Sequence, residues 1–180
     1  MNETLYHTKF LDLKATESKS GSPWYYAHRP NSNGVVIILA KTEDEVLFLI
    51  EERPPILAEN RGKYTIGLAA GLVGDERVGE TIEEAIKAEL LEETGLVANS
   101  IKIMSRKVAS SAGCTSEVST IAIADIKDKN IAKQPVDDGG IIIDRVWVKI
   151  NEIRPWLKKM EAEGNVLTAQ ALAALYYIYE

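Results

Sequence analysis

The chain has 180 residues, enough for one domain with a real core and short for two. Its 27 acidic against 21 basic residues give a net charge of −6, which argues against a phosphate-backbone partner, although a small anionic substrate stays open. One cysteine, Cys114, excludes an intrachain disulfide; the N-terminus lacks a signal pattern and the longest apolar runs, such as Val35 to Ala40, cannot span a bilayer. The expectation is a soluble, cytoplasmic protein with no membrane or nucleic-acid partner.

Residues 5–13 alternate as a strand does, and Trp24 to Ala27 is a second candidate after the Gly21-Ser22-Pro23 turn. Val35 to Leu39 reads as a buried strand, joined by the charged turn Lys41–Glu45 to Val46–Ile50, a predicted hairpin. After Arg53 the pair Pro54-Pro55 stops any central strand, since proline has no N–H to donate. Residues 64–70 read as a short strand leading into a glycine-rich loop, Gly71 to Gly79. Glu80 to Thr94 is a predicted helix: Thr81 with Glu84 makes a capping box and Gly95 a C-cap. Strands are expected near 101–109, 117–126 and 141–150, and helices near 151–163 and 168–179. The order implies one mixed sheet with helices on both faces.

Glu89, Glu92 and Glu93 stand at i, i+3 and i+4, so one helix face carries three carboxylates over roughly a third of its circumference. Like charges so spaced repel, and Lys87 lies well round the helix from them. Hard oxygen ligands in this array suit Mg²⁺ or Mn²⁺. An acidic solvated face is the bland alternative; the glycine loop entering the helix tips the balance, because its backbone can approach a ligand closely.

The segment Glu80-x7-Ala88-Glu89-Leu90-x-Glu92-Glu93-x-Gly95-Leu96 resembles the Nudix box. Gly74 meets the initial glycine by count, but Ala70-Gly71-Leu72-Val73 is similar to the box opening of ADP-ribose pyrophosphatases. On that reading Gly71 is the box glycine, the loop carries three extra residues, and the carbonyl of Ala70 rather than Val73 is the backbone metal ligand. Ala88 stands where the family has arginine, which puts activity in question more than fold. The resemblance implies a Nudix fold, a mixed sheet between helices (α/β/α), with an N-terminal strand region at 1–33 before a hydrolase domain at 34–180.

Further motifs are similar to the ADP-ribose branch. Arg53 in Glu52-Arg53-Pro54-Pro55 is implied to reach the diphosphate. Ser110 to Glu117 resembles the family's Ser-Pro-Gly-x-Thr-Ser-Glu loop, which assigns Glu117 as base or further ligand and places Ala112 at the proline. Trp24 and Arg29 resemble residues that contact adenine, and Gly67-Leu68-Ala69-Ala70-Gly71 lacks the glutamate of the family's Glu-Leu-Pro-Ala-Gly. The implied activity is Mg²⁺-dependent hydrolysis of a nucleoside diphosphate linked to another group, ADP-ribose first among them, by a homodimer that exchanges N-terminal strands. The catalytic residues would be Glu117 and Glu93, the metal ligands Ala70, Glu89, Glu92 and Glu93, and the substrate contacts Trp24, Arg29, Arg53 and Gly71. Another nucleotide substrate, or a weakened Nudix fold used for binding, are the competing readings.

Overall fold

The computed structural model describes residues 2–74, 79–135 and 141–178. The first three strands, β1 (Glu3–His7), β2 (Asp12–Glu17) and β3 (Pro23–His28), form an antiparallel sheet of their own. The single strand expected over 5–13 is therefore a hairpin. Thr8 makes the turn: its N–H donates to the Leu11 carbonyl at 3.1 Å, and its Oγ1 accepts from the Leu11 N–H at 2.8 Å. A threonine hydroxyl supplies here what glycine or asparagine supplies in more legible turns.

Strands β4 (Val35–Lys41) and β5 (Glu45–Glu51) follow as the expected hairpin, closed by Thr42 on Glu45. Their ladder holds only at Lys41–Val46, after which they part to different neighbours. A short helix α1 (Pro54–Ala58) opens on the two prolines, whose missing N–H groups cost nothing in a first turn. Then come β6 (Thr65–Gly67), β7 (Ala69–Leu72), α2 (Ile82–Thr94), β8 (Ser100–Ala109), β9 (Val118–Asp125) and β10 (Ile142–Lys149). After a 3-10 turn at Ile150–Glu152 the chain ends with α3 (Ile153–Ala162), β11 (Val166–Leu167) and α4 (Ala169–Leu175).

Strands β4 to β11 make one mixed sheet. β4 lies parallel to β9 and antiparallel to β7, while β5 lies antiparallel to both β6 and β10. Both faces of β4 are covered, which is why its sequence is an unbroken apolar run rather than an alternating one. Val36, Ile38 and Ala40 face Ala85, Ile86 and Leu90 of α2. Ile37 and Leu39, with Phe48 and Ile121, face Leu157 and Met160 of α3 and Ala171 and Ala174 of α4. Burying each such Ile or Leu fully contributes about 1.5–3 kcal/mol. The sheet between helices is the expected α/β/α arrangement, and it fixes α2 against the edge of β7.

Candidate active site

Helix α2 is held at both ends. At its start Thr81 Oγ1 accepts from the Glu84 N–H at 3.2 Å, and Glu84 Oε2 accepts from the Thr81 N–H at 2.8 Å, completing the capping box. At its end Gly95 takes the left-handed conformation, φ 74°, and donates to the Leu91 carbonyl. From β10, Arg145 Nε donates to the Glu93 carbonyl at 2.5 Å and ties the last turn to the sheet.

Glu89 and Glu93 meet the chain at β7. The Ala70 N–H donates to Glu93 Oε2 at 2.9 Å. A Cβ added to Gly71 would stand 1.8 Å from the Glu89 carboxyl, so only glycine permits this approach. The ladder with β4 explains which backbone groups are available. Val73 is spent on it: its N–H donates to Gly34 at 3.0 Å and its carbonyl accepts from Asn33 at 2.9 Å. Residues in an antiparallel ladder bond alternately inward and outward. Val73, Gly71 and Ala69 therefore face β4, and Ala70 turns its polar groups towards α2.

Burial raises the Glu93 carboxyl from its ordinary 4.5 to about 8. The Ala70 hydrogen bond opposes this, Glu89 and Glu51 reinforce it, and Arg53 opposes it. Burial thus favours the protonated form of this carboxyl.

Beside β7 lies a cavity of about 280 Å³ whose wall includes Glu51, Arg53, Ala70, Gly71, Glu117, Thr168 and Gln170. Arg53 is anchored there by Glu51, through Nη2–Oε1 at 2.6 Å and Nε–Oε2 at 3.2 Å. Glu117, in the same wall, is held by Arg29, Nε–Oε2 at 3.0 Å, and by Ser110, Oγ–Oε1 at 3.3 Å. The loop carrying Glu117 is laced to β3: Ala27 donates to the Cys114 carbonyl at 2.8 Å, Ser116 donates to Ala27 at 3.1 Å, and Trp24 Nε1 donates to Gly113 at 2.9 Å. The rest of the Trp24 indole is open, with the residue 51% exposed. A larger hollow of about 410 Å³, between α3 and α4, has mainly apolar walls and stands apart from these groups.

The structure thus brings Arg53, Ala70, Gly71 and Glu117 to one cavity. It attaches Glu89 and Glu93 through Gly71 and Ala70, and Arg29 through Glu117. Glu92 is half-buried on α2 and is not part of the cavity wall. Among the described residues no three acidic, histidine or cysteine side chains are gathered as for a metal ion, and Glu93 is turned onto the Ala70 N–H. Sequence reasoning missed Glu51, Arg145 and Gln170. The alternation Glu51-x-Arg53 at a strand end was a usable signal for the first; the other two have none.

Residues 30–170 match the family model of the NUDIX domain. No curated protein sequence matches. Among solved structures, the crystal structure of an ADP compounds hydrolase is similar with a TM-score of 0.71 at 21% identity, over 98% of this chain and 88% of that one. The family match runs from the turn ahead of β4 into α4 and so takes in the β7–α2 junction and the cavity beside it: the chain belongs to the Nudix family of hydrolases.

Proposed function

We propose that this protein uses Mg²⁺ or Mn²⁺ to hydrolyse a nucleoside diphosphate linked to another moiety, with ADP-ribose, cut to AMP and ribose 5-phosphate, as the first candidate. The observation that carries the reading is the β7–α2 junction. There Gly71 and Ala70 bring backbone against the carboxylates of Glu89 and Glu93, next to a cavity that presents Arg53 and Glu117.

A divalent cation fits these residues. The donors are all oxygen, the Ala70 edge faces them, and Glu93 is a buried carboxyl beside two others, an arrangement that positive charge relieves. Glu89, Glu93 and the Ala70 carbonyl would hold the ion, with Glu92 assisting. A cation held there would supply positive charge to offset the charge that develops on the diphosphate. Arg53 binds the phosphate oxygens. Glu117 orients the attacking water and accepts its proton as the new P–O bond forms and the bridging P–O bond breaks; a placed carboxylate base contributes about 10²–10⁴-fold. Trp24 offers an indole face to the base, and Arg29 lies at the same end.

The N-terminal sheet supports assembly as a homodimer. Tyr6, Phe10, Leu11, Leu13 and Tyr25 are all exposed there, more apolar surface than a small free sheet ordinarily shows water. On this reading residues 1–33 serve assembly and base contacts and 34–180 carry the chemistry, in the reducing, cytoplasmic setting that a lone cysteine suits. The second reading, a weakened Nudix fold used for binding, is favoured by Ala88 in place of the box arginine and by the ion pair that occupies Glu117.

The test is incubation with Mg²⁺ or Mn²⁺ and a panel of nucleoside diphosphate compounds, measuring released phosphomonoester. Turnover led by ADP-ribose is expected; another preferred member would move the substrate assignment only. No turnover of any member favours the binding module. Glu93→Gln should remove most turnover, and an unaffected variant would sink the metal assignment.

A further inference from the structure

Glu51 is the anomaly that the proposed chemistry leaves unused. Its side chain is only 3% exposed, on the last residue of β5, where an unpaired carboxylate would cost several kcal/mol. Its cationic partner is Arg53, two residues on. Arg53 is extended, φ −118° and ψ 107°, so the strand alternation carries past Glu51 and puts both side chains on one side. Thr65 Oγ1 of the neighbouring β6 lies 3.3 Å from Glu51 Oε2 and adds a further hydrogen bond. Gly67 leaves room for the same carboxylate, since a Cβ there would stand 3.2 Å from Oε2. Pro54 and Pro55 then stiffen the backbone immediately beyond Arg53.

Which edge of the guanidinium is occupied matters. Glu51 takes Nε and one N–H of Nη2, the side-on edge. Guanidinium has five N–H donors in a rigid plane, so the end-on edge formed by Nη1 and Nη2 keeps a parallel pair of donors. That pair matches two oxygens of one phosphate. Arg53 is 42% exposed at its side chain and lines the cavity with Ala70, Gly71 and Glu117, while Glu51, in the same wall, is only 3% exposed.

We propose that Glu51 is a positioning residue: by gripping Arg53 side-on it fixes the guanidinium plane, so that the end-on edge receives a phosphate of a nucleoside diphosphate. The idea rests on the reading of this cavity as a diphosphate site, but not on hydrolysis. A preset fork binds an anion without first ordering a long flexible side chain, and binding is tighter by that saved entropy. The grip therefore governs affinity for the diphosphate more than the rate of the bond-breaking step.

The test is a double-mutant cycle on ADP binding, measured by calorimetry with Mg²⁺ present, using Glu51→Gln, Arg53→Ala and the double variant. Glu51→Gln keeps shape and size but offers no second acceptor oxygen to the fork. Each single variant should weaken ADP binding at least about tenfold, as misplacement of a clamping group does. The double variant should bind no more weakly than Arg53→Ala alone. In turnover, Glu51→Gln should raise KM with kcat nearly kept, whereas loss of folded protein would lower kcat and leave KM unchanged. Glu51→Asp, which retains the charge but withdraws it by one methylene, should fall between wild type and Glu51→Gln. ADP binding unchanged in Glu51→Gln, additive losses in the double variant, or wild type that fails to bind ADP would each overturn the proposal. Intact ADP binding without turnover of any substrate would overturn the hydrolase reading alone.

Discussion

At the scale of single residues, Glu93 links stability to pH with a definite sign. Its carboxyl releases a proton near 4.5 in the unfolded chain and near 8 in the folded, metal-free protein. Folding therefore takes up a proton between those values, and stability falls as pH rises across them. The contribution is complete below pH 4.5 and lost as pH rises through about 8. Glu93→Gln, which fixes a neutral side chain, should melt above wild type at pH 9 in metal-free buffer and close to it at pH 5. Adding Mg²⁺ should reverse the ranking at pH 9, because the cation stabilises the ionised carboxylate that the variant lacks. Thermal melts at the two pH values, with chelator and with Mg²⁺, decide it; a variant equal to wild type at pH 9 in chelator would show that Glu93 ionises without penalty. The same residue shows how far sequence carries. Its membership of an acidic helix face is plain from spacing, but its turn onto the Ala70 N–H depends on a strand that sequence leaves unlocated relative to the helix.

At the scale of elements, the contact between β7 and α2 sets the geometry of the site. Gly71→Ala would put a methyl on the Glu89 carboxyl, and that side chain would have to turn away from β7. Turnover should drop by an amount comparable to loss of Glu89 itself, on the order of a hundredfold for an ångström of misplacement. Thr81→Ala, which removes the N-cap far from the cavity, should cost about 1 kcal/mol of stability and leave kcat alone. Melts and steady-state rates on the pair separate a geometric defect from a general one. A Gly71→Ala enzyme with normal kcat would mean that turnover does not depend on the Glu89 carboxyl lying against β7. Helix α2 was the most legible element, since the capping box and the terminal glycine agree. The hairpin at residues 3–17 was not legible, because Thr8 turns the chain without interrupting the alternation. Nor could the parting of β4 from β5 be foreseen: a hairpin signal gives the turn, while the neighbours beyond it are chosen by long-range packing. The register of the glycine loop was legible only in part. Spacing left Gly71 and Gly74 both open, and the engagement of Val73 with Asn33 and Gly34 could not be read from it.

At the scale of the whole molecule, the N-terminal sheet is fastened to the loop of residues 110–117 that carries Glu117. β3 contributes to this fastening through Ala27 and Trp24, and Arg29 follows directly after it. If the exposed apolar side chains of that sheet are covered by a second copy, light scattering after size exclusion should give twice the 19.9 kDa of one chain. A monomer at micromolar concentration would sink the dimer. The lacing has a kinetic consequence. If the strands that steady Glu117 are also the strands that associate, assembly and activity would share one equilibrium, and mass action would make its occupancy a function of concentration. Specific activity should then decline on dilution, with a midpoint at the dissociation constant of the pair, and recover on reconcentration. The amount of enzyme present would itself act as the dial on its rate.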